Sequence, residues 1–294
     1  MNARVEKLRQ ESLDAQARIS SERAKLMTKF YQEVKNKGSF SIPMQRALSF
    51  KYLLDHKYIF MGKDELIAGE RGPAPKATPT YPELCCHSLQ DLNILNEREK
   101  ISFAVDEETT QIYGQEIIPF WQGKSMRDII FAEMSDEWTE AYAAGIFTEF
   151  MEQRAPGHTV LDDKIYRKGF LQFMQDIEFS LERIDFLNDP HAYDKKQELK
   201  AMHICAQAII TFAKRHAEKA REMAQAEENP QRKEELLKIT NVCSHVPANP
   251  PRDFWEALQS YWFVHLGVIT ELNTWDAFCP GRLDQHLYPF YKKG

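Results

Sequence analysis

The chain lacks long hydrophobic runs and the short motifs that mark several large enzyme classes. Its five cysteines include no spaced CxxC pair, which argues against a disulfide framework or a structural zinc site. GxGxxG, GxxxxGK, HExxH and GxSxG are all absent, so no standard motif for phosphate, zinc-protease or serine-hydrolase chemistry is present. The most apolar stretch, residues 254–269, contains Glu256 and His265. We therefore expect a buried helix there and not a membrane span.

The charge balance is mildly acidic. The 294 residues carry 38 Lys and Arg against 44 Asp and Glu, a net charge of -6. This balance gives no general attraction to nucleic acid or to anionic membranes. Residues 1–23 alternate charged with sparse apolar residues, unlike a signal or transit peptide. We expect a cytoplasmic protein with neither nucleic acid nor membrane as a partner.

Helical periodicity dominates what is present. Apolar residues recur every three or four positions, and this spacing predicts helices. The predicted helices cover residues 5–19, 24–34, 43–54, 106–121, 125–134, 199–226, 234–243 and 253–272. Another is predicted to begin after Ser135 and to continue through Phe150. Residues 59–83 are rich in Gly and Pro and predict loops with at most short strands, such as 65–69. No repeat or linker divides the chain, so we expect one mainly α domain.

The stretch "QRAPGHTV" at 153–160 contains the first candidate for chemistry, His158. Pro156 should end the helix that bears Phe150, because the residue before a proline avoids the helical region. Gly157 permits a tight turn, which would place His158 just past a helix end and beside Phe150. A histidine on such a loop suits a general acid or base. Alternatively, it caps the preceding helix or bonds a backbone carbonyl, and its position alone leaves both interpretations open.

The second candidate is Asp276, which lies between Trp275 and Phe278 after an apolar predicted helix. Its carboxylate is expected to be partly buried, and a buried carboxylate needs a cationic partner or several hydrogen-bond donors. A structural ion pair with Arg282 and a ligand-binding role are both open.

The remaining cysteine and histidine positions suggest structural roles. Cys85 and Cys86 are adjacent and precede His87, and neighbouring residues do not easily turn three donors onto one tetrahedral ion. We expect two small, buried, inert thiols and no bound metal. His216 falls within a helical pattern and is expected to be a satisfied core residue.

Several stretches resemble the opening of glycyl radical enzymes of the pyruvate formate-lyase type. They are "SSERAKLMT" at 20–28, "RALSFKYLLDH" at 46–56, "DELIAGERG" at 64–72, "TPTYPELCCHSLQDL" at 78–92, "IIPFWQGKSMRD", "RAPGHTV", "YWFVHLGVITELNTWDAF" and "GRLDQHLYPFY". The resemblance covers nearly the whole chain in order. Within the family, "TPTYPELCCH", "FTEFMEQRAPGHT" and "TELNTWDAFCPGRLDQH" are similar to the trans-4-hydroxy-L-proline dehydratase branch.

The resemblance implies a fold larger than this chain. Members form a ten-stranded α/β barrel wrapped in helices, with a catalytic Cys on one loop and a radical-bearing Gly on another. Residues 1–294 would be the amino-terminal, mainly helical part of that single domain, with the barrel incomplete and both loops beyond the chain end. Cys85 and Cys86 are not the catalytic pair of pyruvate formate-lyase, because the surrounding "TYPEL" belongs to the amino-terminal region.

The resemblance also implies chemistry for the whole enzyme. A glycyl radical, installed by a radical-SAM activase, would start the elimination of water from trans-4-hydroxy-L-proline or a similar small hydroxylated substrate. No cofactor would be bound in this segment, and a homodimer is left open. His158 would help the hydroxyl leave, Asp276 would hold the ring nitrogen, and Phe150 would pack on the pyrrolidine ring.

Two functions from different classes follow. In the first, the chain is part of a lyase and is inactive by itself. In the second, it is a catalytically inactive, truncated helical module that only folds with, or binds, the missing carboxyl-terminal part.

Overall fold

The computed structural model describes residues 2–34, 38–147, 161–272 and 281–293, and within them the chain is mostly helical. The helices are α1 (Ala3–Asp14), α2 (Glu22–Val34), α3 (Ile42–His56), α4 (Leu89–Glu97), α5 (Glu107–Ile112), α6 (Ile118–Trp121), α7 (Met126–Glu133), α8 (Asp136–Ala143), α9 (Lys164–Arg167), α10 (Phe170–Glu182), α11 (Ala192–Ala226), α12 (Pro230–His245), α13 (Phe254–Glu271) and α14 (Leu283–Tyr291). A π-helical turn, Tyr113–Ile117, joins α5 to α6. The prediction of a mainly α segment is confirmed.

The long helix α11 is the centre of the main core. It packs against α3, α10, α12 and α13, and Phe212 on α11 is fully buried against Phe263 on α13. His216, one turn after Phe212, is also buried and its Nδ1 lies 2.9 Å from the Phe212 carbonyl oxygen. Burial lowers the pKa of His216 to about 3, so the imidazole is neutral. The prediction of a satisfied core histidine is confirmed.

A small open sheet lies beside a second core. Strand β1 (Arg18–Ser20) pairs in parallel with β2 (Ala77–Pro79), with Ile19 opposite Thr78. The helix predicted over 5–19 is therefore wrong at its carboxyl end, because α1 ends at Asp14. Ile19 instead donates its backbone N–H to the carbonyl of Ala104 at 2.9 Å, a long-range bond that helical periodicity could not reveal.

The strand predicted over 65–69 is also wrong. The backbone of Ala68 is satisfied by one side chain on α13: Gln259 accepts from its N–H at 2.7 Å and donates to its carbonyl at 2.9 Å. Gln259 is fully buried. A side chain thus replaces a strand partner, and residues 65–69 stay a loop.

Helix α8 is shorter than predicted. Ser135 caps its start as expected, accepting from the N–H of Trp138, but the helix ends at Ala143 and does not reach Phe150. Gly145 adopts a φ of 72°, its N–H bonds Tyr142, and the N–H of Ile146 bonds Ala141. These two bonds form a Schellman motif, which ends a helix at a left-handed glycine.

Within the described ranges, none of the helices combines the length and the apolar character needed to cross a bilayer. Helix α13, the most apolar stretch, begins after its cap Asp253 as predicted. It packs on α11 on one side and contacts α9 and α14 on another. It is therefore the buried helix that the sequence predicts.

Candidate active site

The three candidate residues lie in two segments outside the described residues. Phe150 and His158 fall within 148–160, and Asp276 falls within 273–280. Their roles therefore stay predictions, and so does the alternative pair between Asp276 and Arg282. The described residues next to these segments show where each one joins the fold.

One end of each segment lies at the same apolar groove. Leu161 follows the first segment and Leu272 precedes the second, and both side chains line the same groove of about 680 Å³. Its walls come from α3, α10, α11 and α13, and include Phe50, Phe173 and Ile209. A concave, mostly apolar cavity with a few polar groups is the usual setting of a small-molecule site.

The backbone is constrained where the first segment rejoins the fold. Leu161 and Asp162 have φ values of 60° and 49°, a left-handed conformation that residues with a Cβ adopt at some cost. The Asp162 carboxylate lies 3.4 Å from Nε2 of His286 on α14, and the N–H of Lys164 donates to the carbonyl of Leu161 at 3.0 Å. The described end of the His158 segment is thus anchored both to the groove and to α14.

One ion pair provides much of the polar character of the groove. Nε of Arg46 donates to Oε1 of Glu271 at 2.6 Å, and a second guanidinium nitrogen donates to the same oxygen. The other oxygen of Glu271 is buried and has no hydrogen-bond partner among the described residues. Burial raises the pKa of Glu271, an effect that Arg46 opposes. Among the described residues, the last residue of α13 therefore presents an unbonded carboxylate oxygen beside an apolar cavity.

Two of the last carbonyls of α13 are bonded by side chains distant in sequence. The final four carbonyls of a helix have no partner within it. Here Leu272 bonds that of Val268 at 2.8 Å, and Nε of Arg23 donates to that of Thr270 at 2.7 Å. The hydroxyl of Tyr81 donates to the carbonyl of Ile269. Arg23 and Tyr81 together form what we call the α13 clamp.

The two clamp residues also hold each other. The Arg23 guanidinium lies 3.9 Å from the centre of the Tyr81 ring and forms a bidentate ion pair with Glu83. Burial alone would lower the pKa of Arg23, but the Glu83 carboxylate more than offsets it and the pKa is raised. Burial raises the pKa of Tyr81 to about 12. Arg23 thus stays charged and Tyr81 stays a donor at neutral pH.

The adjacent cysteines differ from expectation in one respect. Cys85 and Cys86 are half-buried, not buried. Burial raises the pKa of Cys86 to about 12, which keeps it a thiol and makes it a poor metal ligand. In the part of the chain that the structure describes, no group of three or more His, Cys, Asp or Glu residues is arranged to hold a metal.

Comparison with known proteins places the chain in a family. The model of the family described as pyruvate formate lyase-like matches residues 1–294. The chain belongs to the pyruvate formate lyase-like family. It is 53% identical to the trans-4-hydroxy-L-proline dehydratase of Clostridioides difficile over 290 residues, which cover 99% of this chain and 36% of that enzyme. The resemblance inferred from the sequence motifs is confirmed.

Solved structures of the family agree with the fold. The hydroxyproline dehydratase from Clostridioides difficile, with trans-4-hydroxy-L-proline bound, matches with a TM-score of 0.93 and 52% identity over 99% of this chain and 37% of that chain. A glycyl radical enzyme from Archaeoglobus fulgidus matches with a TM-score of 0.87 and 30% identity, over the same shares. The chain thus spans little more than a third of the length of these relatives, as a mostly helical piece of a glycyl radical enzyme fold.

Sequence reasoning missed the residues around the end of α13, although it used the stretches that contain them. Arg23 lies in "SSERAKLMT", Arg46 in "RALSFKYLLDH", Tyr81 and Glu83 in "TPTYPEL", and Glu271 in "ITELNTWDAF". The structure brings four separate family motifs to one place. The presence of all four motifs was the only sequence signal for this cluster, but a sequence motif does not show which carbonyl a side chain will bond.

Proposed function

We propose that this chain is the amino-terminal segment of a glycyl radical dehydratase that eliminates water from trans-4-hydroxy-L-proline or a similar small hydroxylated substrate. The observation that carries the proposal is the shared groove. The segment with Phe150 and His158 and the segment with Asp276 join the fold at Leu161 and Leu272, which line one cavity. The 53% identity to a trans-4-hydroxy-L-proline dehydratase supports this substrate class.

Each candidate residue has a chemical reason for its role. Expelling hydroxide is unfavourable, so His158 would protonate the leaving oxygen as a general acid. The ring amine of the substrate is cationic, and the Asp276 carboxylate would hold it through a charge-assisted hydrogen bond. Phe150 would pack against the pyrrolidine ring and keep water away from it.

The radical chemistry belongs to the rest of the proposed enzyme. A glycyl radical, installed by a radical-SAM activating enzyme, would supply the hydrogen abstraction next to the ring nitrogen. The described residues of this chain would contribute binding, orientation and exclusion of water. The proposal therefore includes two partners, a small substrate and the activase, and a cytoplasmic location.

A chimera tests the proposal. This chain would replace the aligned amino-terminal part of the Clostridioides difficile enzyme, and the product would be activated anaerobically beside the parent enzyme. We expect a glycyl radical in the electron paramagnetic resonance spectrum and consumption of trans-4-hydroxy-L-proline in preference to glycerol. A normal radical yield without consumption of trans-4-hydroxy-L-proline would contradict the proposed substrate.

The same experiment decides the alternative function. If the chain is only an inactive module, the chimera should fold and acquire its radical but convert none of the hydroxylated substrates. The radical signal shows that assembly has succeeded, so the two functions give different results on one preparation.

A further inference from the structure

Two carbonyls at the carboxyl end of α13 are bonded by buried side chains, although a helix end does not need such partners. Surface helices satisfy their last carbonyls with water or with a local turn. Here Arg23 and Tyr81, both buried, reach the carbonyls of Thr270 and Ile269 from sequence separations of 247 and 188 residues. A buried guanidinium at a helix carboxyl end also interacts favourably with the helix dipole.

We propose that the α13 clamp, Arg23 and Tyr81, consists of positioning residues for Asp276. The clamp fixes the place and direction in which the chain leaves α13 at Leu272, four residues before Asp276. This inference rests on the proposed substrate-binding role of Asp276. It adds residues that touch neither substrate nor reacting atoms and act through the backbone.

The clamp is suited to positioning because it is itself held from several sides. Arg23 lies in the first turn of α2 and Tyr81 follows β2, so two separate elements converge on the helix end. Arg23 also donates to the carbonyl of Thr80 at 3.1 Å, and the carboxylate of Glu83 holds its guanidinium. A planar guanidinium bonded at several nitrogens is held in one orientation, and it therefore fixes the position of the α13 carbonyl that it bonds.

The short distance along the chain makes the end of α13 matter for catalysis. Four residues span at most about 14 Å when fully extended, so the place where the chain leaves α13 limits where Asp276 can lie. Asp276 is proposed to hold the substrate amine and not to take part in the reacting bonds. Loss of the clamp should therefore appear as poorer substrate binding before the fold is lost.

Tyr81→Phe is the first test variant, because it removes only the hydroxyl that bonds Ile269. Tyr113→Phe is its matched control. Tyr113 is fully buried and its hydroxyl donates to the Thr80 side chain. The control therefore loses a buried, hydrogen-bonded hydroxyl without releasing an α13 carbonyl. Both variants keep the ring and are expected to fold.

Arg23→Lys is the second test variant, with Arg232→Lys as its control. Arg232 is a buried arginine on α12 that pairs with Glu235 at 2.9 Å and donates to the carbonyl of Glu65 at 2.9 Å. Both substitutions therefore remove a buried guanidinium that bonds a carboxylate and a backbone carbonyl. Only Arg23 bonds the end of α13.

The kinetic test uses the active chimera. We expect Tyr81→Phe to raise KM for trans-4-hydroxy-L-proline about tenfold while kcat stays within about twofold and the radical yield is unchanged. Arg23→Lys should raise it further. The two controls should lower the melting temperature by similar amounts and leave KM unchanged. Equal KM values in Tyr81→Phe and Tyr113→Phe would overturn the inference.

A second measurement does not depend on activity. Hydrogen exchange of the chain itself, in the peptide that spans the end of α13, should be faster in Tyr81→Phe and Arg23→Lys than in either control. Equal exchange in test and control variants would overturn the clamp. If the unmutated chimera does not convert trans-4-hydroxy-L-proline, the proposed function is overturned. The hydrogen-exchange result would still test the role of the α13 clamp.

Discussion

The two ends of α13 are held in different ways. At the amino end the backbone cap is local: the carboxylate of Asp253 accepts from the N–H of Glu256 at 2.9 Å, and Arg252 pairs with Glu256 one turn later. Distant contacts at this end come from side chains that do not cap the backbone, such as Trp255, whose Nε1 donates to the carbonyl of Leu66 at 2.9 Å. At the carboxyl end only the carbonyl of Val268 has a local partner among the described residues, and the carbonyls of Ile269 and Thr270 are bonded by Tyr81 and Arg23, which are distant in sequence. One helix thus begins with a cap of its own and ends in a site built by other elements.

The two kinds of cap have different consequences for the fold. A local cap stabilises the helix wherever the helix lies, and it does not constrain the position of the helix relative to other elements. A cap built from distant residues fixes the helix end relative to α2 and to the loop after β2. The second arrangement is useful where the chain beyond the helix must be placed accurately. We therefore expect changes beyond the carboxyl end to alter function and changes at the amino end to alter stability alone.

His158→Gln should give the largest functional effect. Glutamine keeps a hydrogen-bond donor of similar size but cannot transfer a titrating proton. In the chimera, turnover should fall by about two to four orders of magnitude, the usual contribution of a positioned acid or base. Radical yield and melting temperature should stay close to those of the unmutated chimera. Full turnover with a lowered melting temperature would show that His158 is a structural cap.

Asp276→Asn should weaken substrate binding by a smaller factor. The amide keeps its shape but loses the charge that matches the ring amine, and a hydrogen bond to a charged group contributes about 1.5–3 kcal/mol. KM for trans-4-hydroxy-L-proline should rise by roughly 10- to 100-fold. Asp284→Asn, at an exposed position in the first turn of α14, is the control and should leave KM unchanged. If Asp276 instead forms a structural pair with Arg282, Asp276→Asn should lower the stability of the chimera and leave KM unchanged.

Lys57, near the carboxyl end of α13, gives the stability of the chain a pH dependence. It lines a small cavity together with Arg23 and Thr270, and its ammonium donates to the carbonyls of Glu70 and Arg71 at 3.3 and 3.0 Å. Burial lowers the pKa of Lys57 from 10.5 to about 8. The unfolded chain keeps this proton to higher pH than the folded chain does, so the folded state gains stability as pH rises from about 8 to 10.5.

Lys57→Met should remove that gain. At about 1.4 kcal/mol per pKa unit, the unmutated chain should gain roughly 2–3 kcal/mol more than the variant between pH 7.5 and pH 10.5. Urea unfolding of both chains at the two pH values measures the difference. The same pH dependence in both chains would show that Lys57 does not titrate in this range.

Asp253→Ala should have the smallest effect. Loss of an N-cap costs about 1 kcal/mol, and the urea unfolding free energy of the chain should fall by that amount. In the chimera, KM for trans-4-hydroxy-L-proline should not change, because the carboxyl end of α13 keeps its partners. A rise in KM as large as that of Tyr81→Phe would remove the distinction between the two ends.

The contrast between the ends of α13 also explains what the sequence could predict. The sequence predicted helix starts at Ser125 and Asp253 and a cap at Ser135, and in the structure each of these side chains bonds an N–H three residues ahead. Such signals lie within one helical turn. The pairing of β1 with β2 and the contacts of Arg23 join residues more than 50 positions apart, and no local pattern specifies them.

For the candidate site, too, some features could be predicted from the sequence and others could not. The family motifs predicted the identity of the site segments, because whole stretches of sequence carry the resemblance. The buried ion pair of Arg46 with Glu271 and the donation from Tyr81 to Ile269 were not predicted. Polar side chains gain their partners only when the helices pack, so their contacts became visible in the structure alone.

A crystal structure of the chimera with trans-4-hydroxy-L-proline would test the central claim most directly. We expect the substrate to lie beside the groove that Leu161 and Leu272 line. The Asp276 carboxylate should lie about 2.7–2.9 Å from the ring nitrogen and His158 within hydrogen-bond distance of the 4-hydroxyl, with the carbonyls of Ile269 and Thr270 still bonded by Tyr81 and Arg23. A substrate bound away from both segments, or bound normally with those two carbonyls released, would contradict it.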